Sequence, residues 1–204
     1  MADFTQLSDL HQYFVLKLPG IMYHPAVLDQ AIVMAFRAFA KKTESWREWI
    51  GPFNVVKDLQ EYVLEWPFCS SLVRIYEVKI NTSDGVSNGL DGVTQDKYLY
   101  AFDQPDKLVL ADDLKPAADV ASALDVKVAM IPKLEVKQLP KWYVNQWVEP
   151  IIAHAMWELA GMRKASWYDP QLSEKGRIDY LDGAASAGAE NEYGYTDIED
   201  GMEA

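Results

Sequence analysis

Oxygen-bearing side chains in the segment SDGVSNGLDG raise the first chemical question. Asp84, Asn88 and Asp91 lie close together here, and carboxylate and amide oxygens are the ligands that Ca²⁺ prefers. An EF-hand loop needs such oxygens at alternating positions and an acidic residue at its twelfth position. The spacing does not meet that requirement. The pattern therefore favours a polar hairpin loop within residues 81–96 over a calcium site.

Two carboxylates beside an aromatic residue suggest carbohydrate chemistry. Glu61 and Glu65 precede Trp66, and glycosidases hold a sugar between two carboxylates on aromatic walls. A chain with 31 Asp and Glu residues contains many such coincidences, and nothing in the sequence assigns this pair to one cleft. A carbohydrate-binding or carbohydrate-cleaving module is therefore kept as an alternative function. An oligomeric protein that contacts host proteins is a second alternative.

The histidines and the cysteine offer little further chemistry. His11, His24 and His154 lie on separate segments, and Cys69 is the single cysteine, so no internal disulfide can form. No phosphate-binding glycine loop, zinc-protease motif or nucleophile elbow occurs. We expect no catalytic residue, no cofactor and no metal site, and hence a protein that is not an enzyme.

The C-terminal segment, residues 188–204, is acidic throughout. It carries six carboxylates and no Lys or Arg, so it contributes −6 of the formal net charge of −12 and the remaining residues carry the other −6. A segment of this composition is disordered alone and can become ordered on a partner, with its few apolar residues as anchors. The residues that we expect to meet such a partner are Glu190, Glu192, Tyr193, Tyr195, Asp197, Ile198, Glu199 and Asp200.

Charge and hydrophobicity exclude several classes of protein. An acidic chain without a basic stripe is poorly suited to wrapping duplex DNA by phosphate neutralisation. No charged segment followed by an apolar run opens the sequence, and no run approaches the roughly 18 apolar residues of a membrane span. These patterns predict synthesis in the cytosol and no membrane partner.

Helical periodicity is found at both ends of the chain. Residues 4–18 and 24–46 have apolar residues at helical spacing, and Pro25 suits a first helical position. Residues 141–162 repeat the pattern with Pro150 inside, which predicts a kink or a break, and residues 170–189 predict a last helix. The apolar faces of the second, third and last helices are predicted to be Leu28, Ile32, Ala35, Phe36 and Phe39; Val144, Val148, Ile151, Ala155, Leu159 and Met162; and Leu172, Ile178 and Tyr180 or Leu181.

The middle of the chain, residues 51–136, has the alternation of strands. SLVRIYEVKI and ALDVKVAMI alternate with period two, and KDLQ reads as a turn that joins FNVV to EYVLEW. Segregated helices and strands point to the α+β class. We predict a helical bundle of about four helices with an inserted small antiparallel β domain and an extended C-terminal tail. Residues 1–50 and 137–187 would form the bundle, 51–136 the β domain and 188–204 the tail.

The order of short motifs resembles the head-to-tail connector (adaptor) proteins of tailed bacteriophages. The opening region has Leu18-Pro19-Gly20, then a helix with Ala31, Ala35 and two aromatic residues, then Thr43-Glu44-Ser45-Trp46. The closing region is similar to that family in Leu139, Pro140 and Trp142, in a long helix with Ala153 and Ala155, and in Trp167, Pro170 and Leu172. The resemblance spans about residues 10–190.

The resemblance implies a structural role in the virion neck. Proteins of this family form a ring, usually twelvefold, below the portal protein at a capsid vertex, bind the tail or nozzle protein, and let genome DNA pass through the lumen without sequence-specific binding. The C-terminal segment commonly docks on the portal, so the acidic and aromatic residues after 188 would be portal-docking residues. No catalysis is implied. Seven Trp and eleven Tyr residues suit such contacts, because each has an apolar body and a polar group.

Overall fold

The chain forms two compact units. The computed structural model describes residues 3–18, 21, 24–66, 70–81, 87–89, 107–110, 116 and 118–193. The first unit combines Met1–Ser45 with Leu134–Ala204, and the second is Trp46–Lys133.

Helices dominate the first unit and strands form the second. The elements of the first unit are β1 (Phe4–Gln6), α1 (Leu7–Leu10), α2 (Gln12–Val15), α3 (Pro25–Thr43), β8 (Gln138–Pro140), α4 (Lys141–Ala160) and α5 (Pro170–Tyr193). Those of the second unit are β2 (Arg47–Val55), β3 (Glu61–Val63), β4 (Ser70–Asn81), β5 (Ser87–Gly89), β6 (Lys107–Val109) and β7 (Val120–Pro132).

Helix α3 forms as its sequence predicts. Pro25 begins it, where a missing N–H costs no hydrogen bond, and Lys41 and Lys42 lie in its last turn, where cations suit the helix dipole. Glu44 adopts a left-handed conformation (φ 49°) and ends the helix. The predicted apolar face is confirmed, because all five members are fully buried: Leu28, Ile32, Ala35, Phe36 and Phe39.

The opening segment differs from the single helix predicted over residues 4–18. Phe4–Gln6 forms a strand that pairs antiparallel with Gln138–Pro140, and two short helices follow on either side of His11. The strand partner lies more than 130 residues away in the sequence. Local periodicity contains no information on a partner at that distance, and the tertiary pairing overrides it.

The main sheet of the second unit has the order β2-β7-β4-β5 and is antiparallel. The register places Ile50 of β2, Val126 of β7 and Val78 of β4 opposite one another. It also places Val128 of β7 opposite Ile75 of β4. All five of these side chains are buried. Because residues directly opposite share a face of a sheet, this register gives the sheet one apolar face, and the intervening residues form the other.

The predicted fold class is wrong. Among the described residues the strands form three separate sheets, and one of them, β1–β8, belongs to the unit that contains the helices. The second unit contains strands of 9, 12 and 13 residues, so the chain is a mixed α and β protein and not a helical bundle with one small β domain. The turn predicted at KDLQ is confirmed, since it lies between β2 and β3, but the two strands do not pair with each other: β2 pairs with β7 and β3 with β6.

Candidate functional site

The predicted docking residues near the C-terminus fall on both sides of the last described residue. Helix α5 continues to Tyr193, so residues 188–193 are helical and the extended tail predicted from residue 188 does not begin there. Glu190, Glu192 and Tyr193 belong to the last turn of this helix. The other predicted docking residues lie outside the described residues: Tyr195, Asp197, Ile198, Glu199 and Asp200.

The end of α5 is tied to the end of α3. Asn191 donates a hydrogen bond from Nδ2 to the carbonyl oxygen of Thr43, at 2.8 Å. In contrast, Oε2 of the neighbouring Glu190 is buried and has no hydrogen-bond partner. A buried acceptor without a partner costs about 1–3 kcal/mol, more when it is charged. The helix end is therefore anchored through Asn191, while Glu190 retains an unsatisfied acceptor.

A buried polar cluster lies beneath this helix end. The Thr43 hydroxyl donates to the Phe39 carbonyl oxygen (2.8 Å) and lies 2.7 Å from Ser45 Oγ. Ser45 Oγ lies 2.9 Å from the hydroxyl of Tyr143 in α4. Burial raises the pKa of Tyr143 well above its ordinary value, and the hydrogen bond with Ser45 opposes that shift only in part. The cluster fixes the end of α3 against α4.

Helices α4 and α5 approach closely because two glycines face α4. A Cβ atom placed on Gly176 would lie 2.6 Å from the Ala153 carbonyl oxygen, and one on Gly183 would lie 2.4 Å from Pro150 Cβ. Helix α4 continues through Pro150 from Lys141 to Ala160, so the predicted kink or break does not end the helix. The proline ring contacts Gly183, where no side chain opposes it.

A groove runs along α4 and α5, and both glycines belong to its lining. The groove has a volume of about 690 Å³, and Tyr13 of α2 contributes to its wall. Ile152, Met156 and Leu172 supply apolar surface, and five charged side chains also line the groove. Sequence reasoning missed this site. The available signal was the seven-residue spacing of Gly176 and Gly183, which places both glycines on one helical face.

His154 is a half-buried histidine of α4 with aromatic neighbours. Its ring centroid lies 4.5 Å from that of Tyr180 and 5.4 Å from that of Trp157, and Nδ1 is buried without a hydrogen-bond partner. Burial lowers the pKa of His154, the charge of Glu158 raises it, and the charge of Lys42 lowers it. The neutral imidazole packs here as an aromatic group of the core.

The carboxylates considered for carbohydrate chemistry do not form a described cleft. Glu61 lies on β3 and accepts a hydrogen bond from Lys107 Nζ of the paired strand β6, at 3.1 Å. Glu65 is exposed and Trp66 is half-buried. The pairing of Glu61 with a lysine gives it a structural partner on the sheet surface.

Only one of the three residues considered as calcium ligands lies among the described residues. Asn88 lies in β5, opposite Ile80 of β4, and Asp84 and Asp91 lie outside the described residues. His11 Nε2 lies 2.6 Å from Asp29 Oδ1, which joins α3 to the segment before it. Within the residues that the structure describes, no group of three or more His, Cys, Asp or Glu side chains could hold a metal ion.

Comparison with known proteins assigns no family to this site. The sequence matches no protein-family model and no curated protein. Among the described residues, no helix combines the length and the apolar character that crossing a membrane requires.

Proposed function

We propose that this chain is a structural protein of a tailed-phage virion, a head-to-tail adaptor that assembles as a ring under the portal protein. The single observation that carries the proposal is the order and spacing of motifs from Leu18-Pro19-Gly20 to Leu172. The positions of these motifs in the fold support it. Thr43 lies in the polar cluster at the end of α3, Pro140 immediately precedes α4, and the Trp167 indole donates to the Leu159 carbonyl oxygen (3.1 Å) before α5 begins.

In this proposal the C-terminal residues attach the ring to the portal. The anchored end of α5 presents the start of an acidic segment that contains no basic residue. Basic side chains of the portal would pair with the carboxylates of this segment. The net charge of −12 suits a channel through which DNA slides without sticking, because the like charges of the protein and the phosphates repel.

The test removes the segment without damaging the helix. Deletion of residues 194–204 leaves α5 and the hydrogen bond between Asn191 and Thr43 in place, whereas a deletion from 189 would remove the end of α5 together with that hydrogen bond. We expect unchanged circular dichroism and weaker cosedimentation with purified portal rings. A full-length variant with Asp197, Glu199 and Asp200 changed to Asn, Gln and Asn controls for length and should weaken attachment in the same direction.

Electron microscopy of the protein mixed with portal rings tests the role itself. The expected result is a second ring layered on the portal. Attachment that is equal with and without residues 194–204 would defeat the docking role of the segment. A protein that ignores the portal and binds oligosaccharides on a glycan array would defeat the adaptor proposal in favour of the carbohydrate-binding alternative.

A further inference from the structure

The face of the main sheet opposite its apolar face is rich in cations and aromatic rings. Arg47 of β2 and Arg74 of β4 are both in register with Ala129 of β7. The Arg47 guanidinium lies 4.1 Å from the centroid of the Tyr76 ring and donates to the Tyr76 hydroxyl at 2.8 Å, and the Arg74 guanidinium lies 5.7 Å from the same centroid. The small side chain of Ala129 leaves room for this arrangement.

Trp49 is the exposed aromatic residue of that face. Its side chain is 43% exposed and lies in register with Lys127 of β7, whose Nζ is 5.8 Å from the ring centroid. Glu77 is also in register with Lys127, and Asp125 is opposite Lys79 on the same strands. The face therefore presents a tryptophan among cations, with two carboxylates beside them, in a chain whose net charge is strongly negative.

The groove along α4 and α5 has complementary chemistry. Its exposed carboxylates are Glu149, Asp179 and Asp182, and its cations are Lys17 and Lys175. Together with the apolar surface described above, this lining suits an indole flanked by positive charge. A groove of about 690 Å³ is within the range that encloses a compact group of side chains.

We propose that the Trp49 face of one copy of this chain docks into the α4–α5 groove of a second copy. Both surfaces are accessible in a single chain, because Trp49 is 43% exposed and the groove is open. The contact joins two different surfaces, so it is heterologous, which is the type of contact that builds a ring when its rotation closes. Trp and Arg are the residues that most often dominate interface energies. This proposal deepens the adaptor function and rests on its ring.

A single-stranded nucleic acid is a less suitable occupant of the face. Bases stack on free aromatic rings, but the Tyr76 ring is already covered by guanidinium groups. Glu77 and Asp125 would also repel phosphates. Binding of DNA is therefore an outcome of the test and not the proposal.

Sedimentation velocity over a concentration series tests the contact in the pure full-length protein. We expect Trp49→Ala to weaken self-association at least about tenfold. Trp142→Ala is the matched control, because Trp142 is 45% exposed on α4 but belongs neither to the face nor to the lining of the groove. Lys127→Glu and Asp179→Lys should each weaken association, and an equimolar mixture of these two variants should restore it. In that mixture the face that carries Lys127→Glu meets the groove that carries Asp179→Lys, and the unchanged face of the second variant meets the unchanged groove of the first.

Each other outcome overturns the inference. The proposed interface is wrong if Trp49→Ala associates like the wild type, or if mixing the two charge-reversal variants does not restore association. Attachment to portal rings remains a separate measurement of the adaptor function. A wild-type protein that stays monomeric at every concentration overturns the self-contact. A fluorescent oligothymidylate that binds the wild type and not Trp49→Ala shows that the face serves nucleic acid instead.

Discussion

The close approach of α4 and α5 at Gly176 leads to a quantitative prediction for Gly176→Ala. The added Cβ would lie 2.6 Å from the Ala153 carbonyl oxygen and 2.8 Å from the Trp157 amide nitrogen. Both atoms belong to the backbone of α4, so no side chain can rotate away. Reaching an ordinary separation of about 3.5 Å would move the helices apart by several tenths of an ångström or more.

Two opposing terms decide the size of the effect. Alanine is favoured over glycine by about 1 kcal/mol inside a helix, whereas overpacking costs roughly 1–3 kcal/mol. Gly188 provides the matched control, since it lies in the same helix and a Cβ there meets nothing within 4 Å. The helix-propensity gain is shared by both substitutions. The difference between Gly176→Ala and Gly188→Ala therefore isolates the clash, at about 1–3 kcal/mol.

Urea unfolding followed by circular dichroism at the helical band measures this difference. We expect Gly188→Ala to unfold at a higher urea concentration than the wild type and Gly176→Ala at a lower one, with unchanged dependence of the free energy on urea. The assay is run at a low protein concentration, so that self-association does not contribute to the midpoint. Equal shifts for the two variants would refute the close packing of α5 on α4.

Three further changes test neighbouring contacts by the same unfolding assay. Pro150→Ala should stabilise the protein by about 1 kcal/mol. A proline inside a helix costs roughly 3 kcal/mol, and losing the contact of about two methylenes with Gly183 offsets roughly 1.6 kcal/mol of that gain. A variant less stable than the wild type would contradict this. Tyr143→Phe should cost about 1 kcal/mol through the lost hydrogen bond with Ser45. The raised pKa of Tyr143 also means that wild-type stability falls above a pH of about 10, where Tyr143 loses its proton in the unfolded chain first. The variant should show a smaller fall, since Tyr62 and Tyr180 also have raised pKa values and still contribute. The pKa of His154 is lowered in the folded protein, so its contribution to stability is complete above a pH of about 6.5 and is lost as the pH falls through the folded pKa. The unfolding midpoints of His154→Gln should therefore depend less on pH between 5 and 7 than those of the wild type. An unchanged pH profile would count against burial of the neutral ring.

The sequence was sufficient to predict several elements. The apolar face of α3 is strongly periodic, and the alternation in β4 and β7 marks both long strands. The acidic C-terminal composition likewise identifies residues unsuited to a core. These features are local, because helix and strand periodicity and charge are properties of neighbouring residues.

The periodicity of the sequence did not predict which face of α5 is buried. Tyr180 is buried, but Ile178 is 46% exposed and Leu181 is 38% exposed, so only one of the predicted apolar positions packs fully inside. Alanines supply the rest of the contact, since Ala184 and Ala187 are also buried. A helix with so weak an apolar stripe takes its orientation from its partner, here the close approach to α4.

By itself the sequence determined which segments are helical or extended over much of the chain, and that the C-terminal residues are acidic. Only the tertiary structure decided that β1 pairs with β8, that β3 pairs with β6, and that Gly176 and Gly183 let α5 approach α4 closely. The physical reason is distance along the chain. Strand pairing and helix packing join residues far apart in sequence, and their free energy depends on shapes and partners that no local pattern contains.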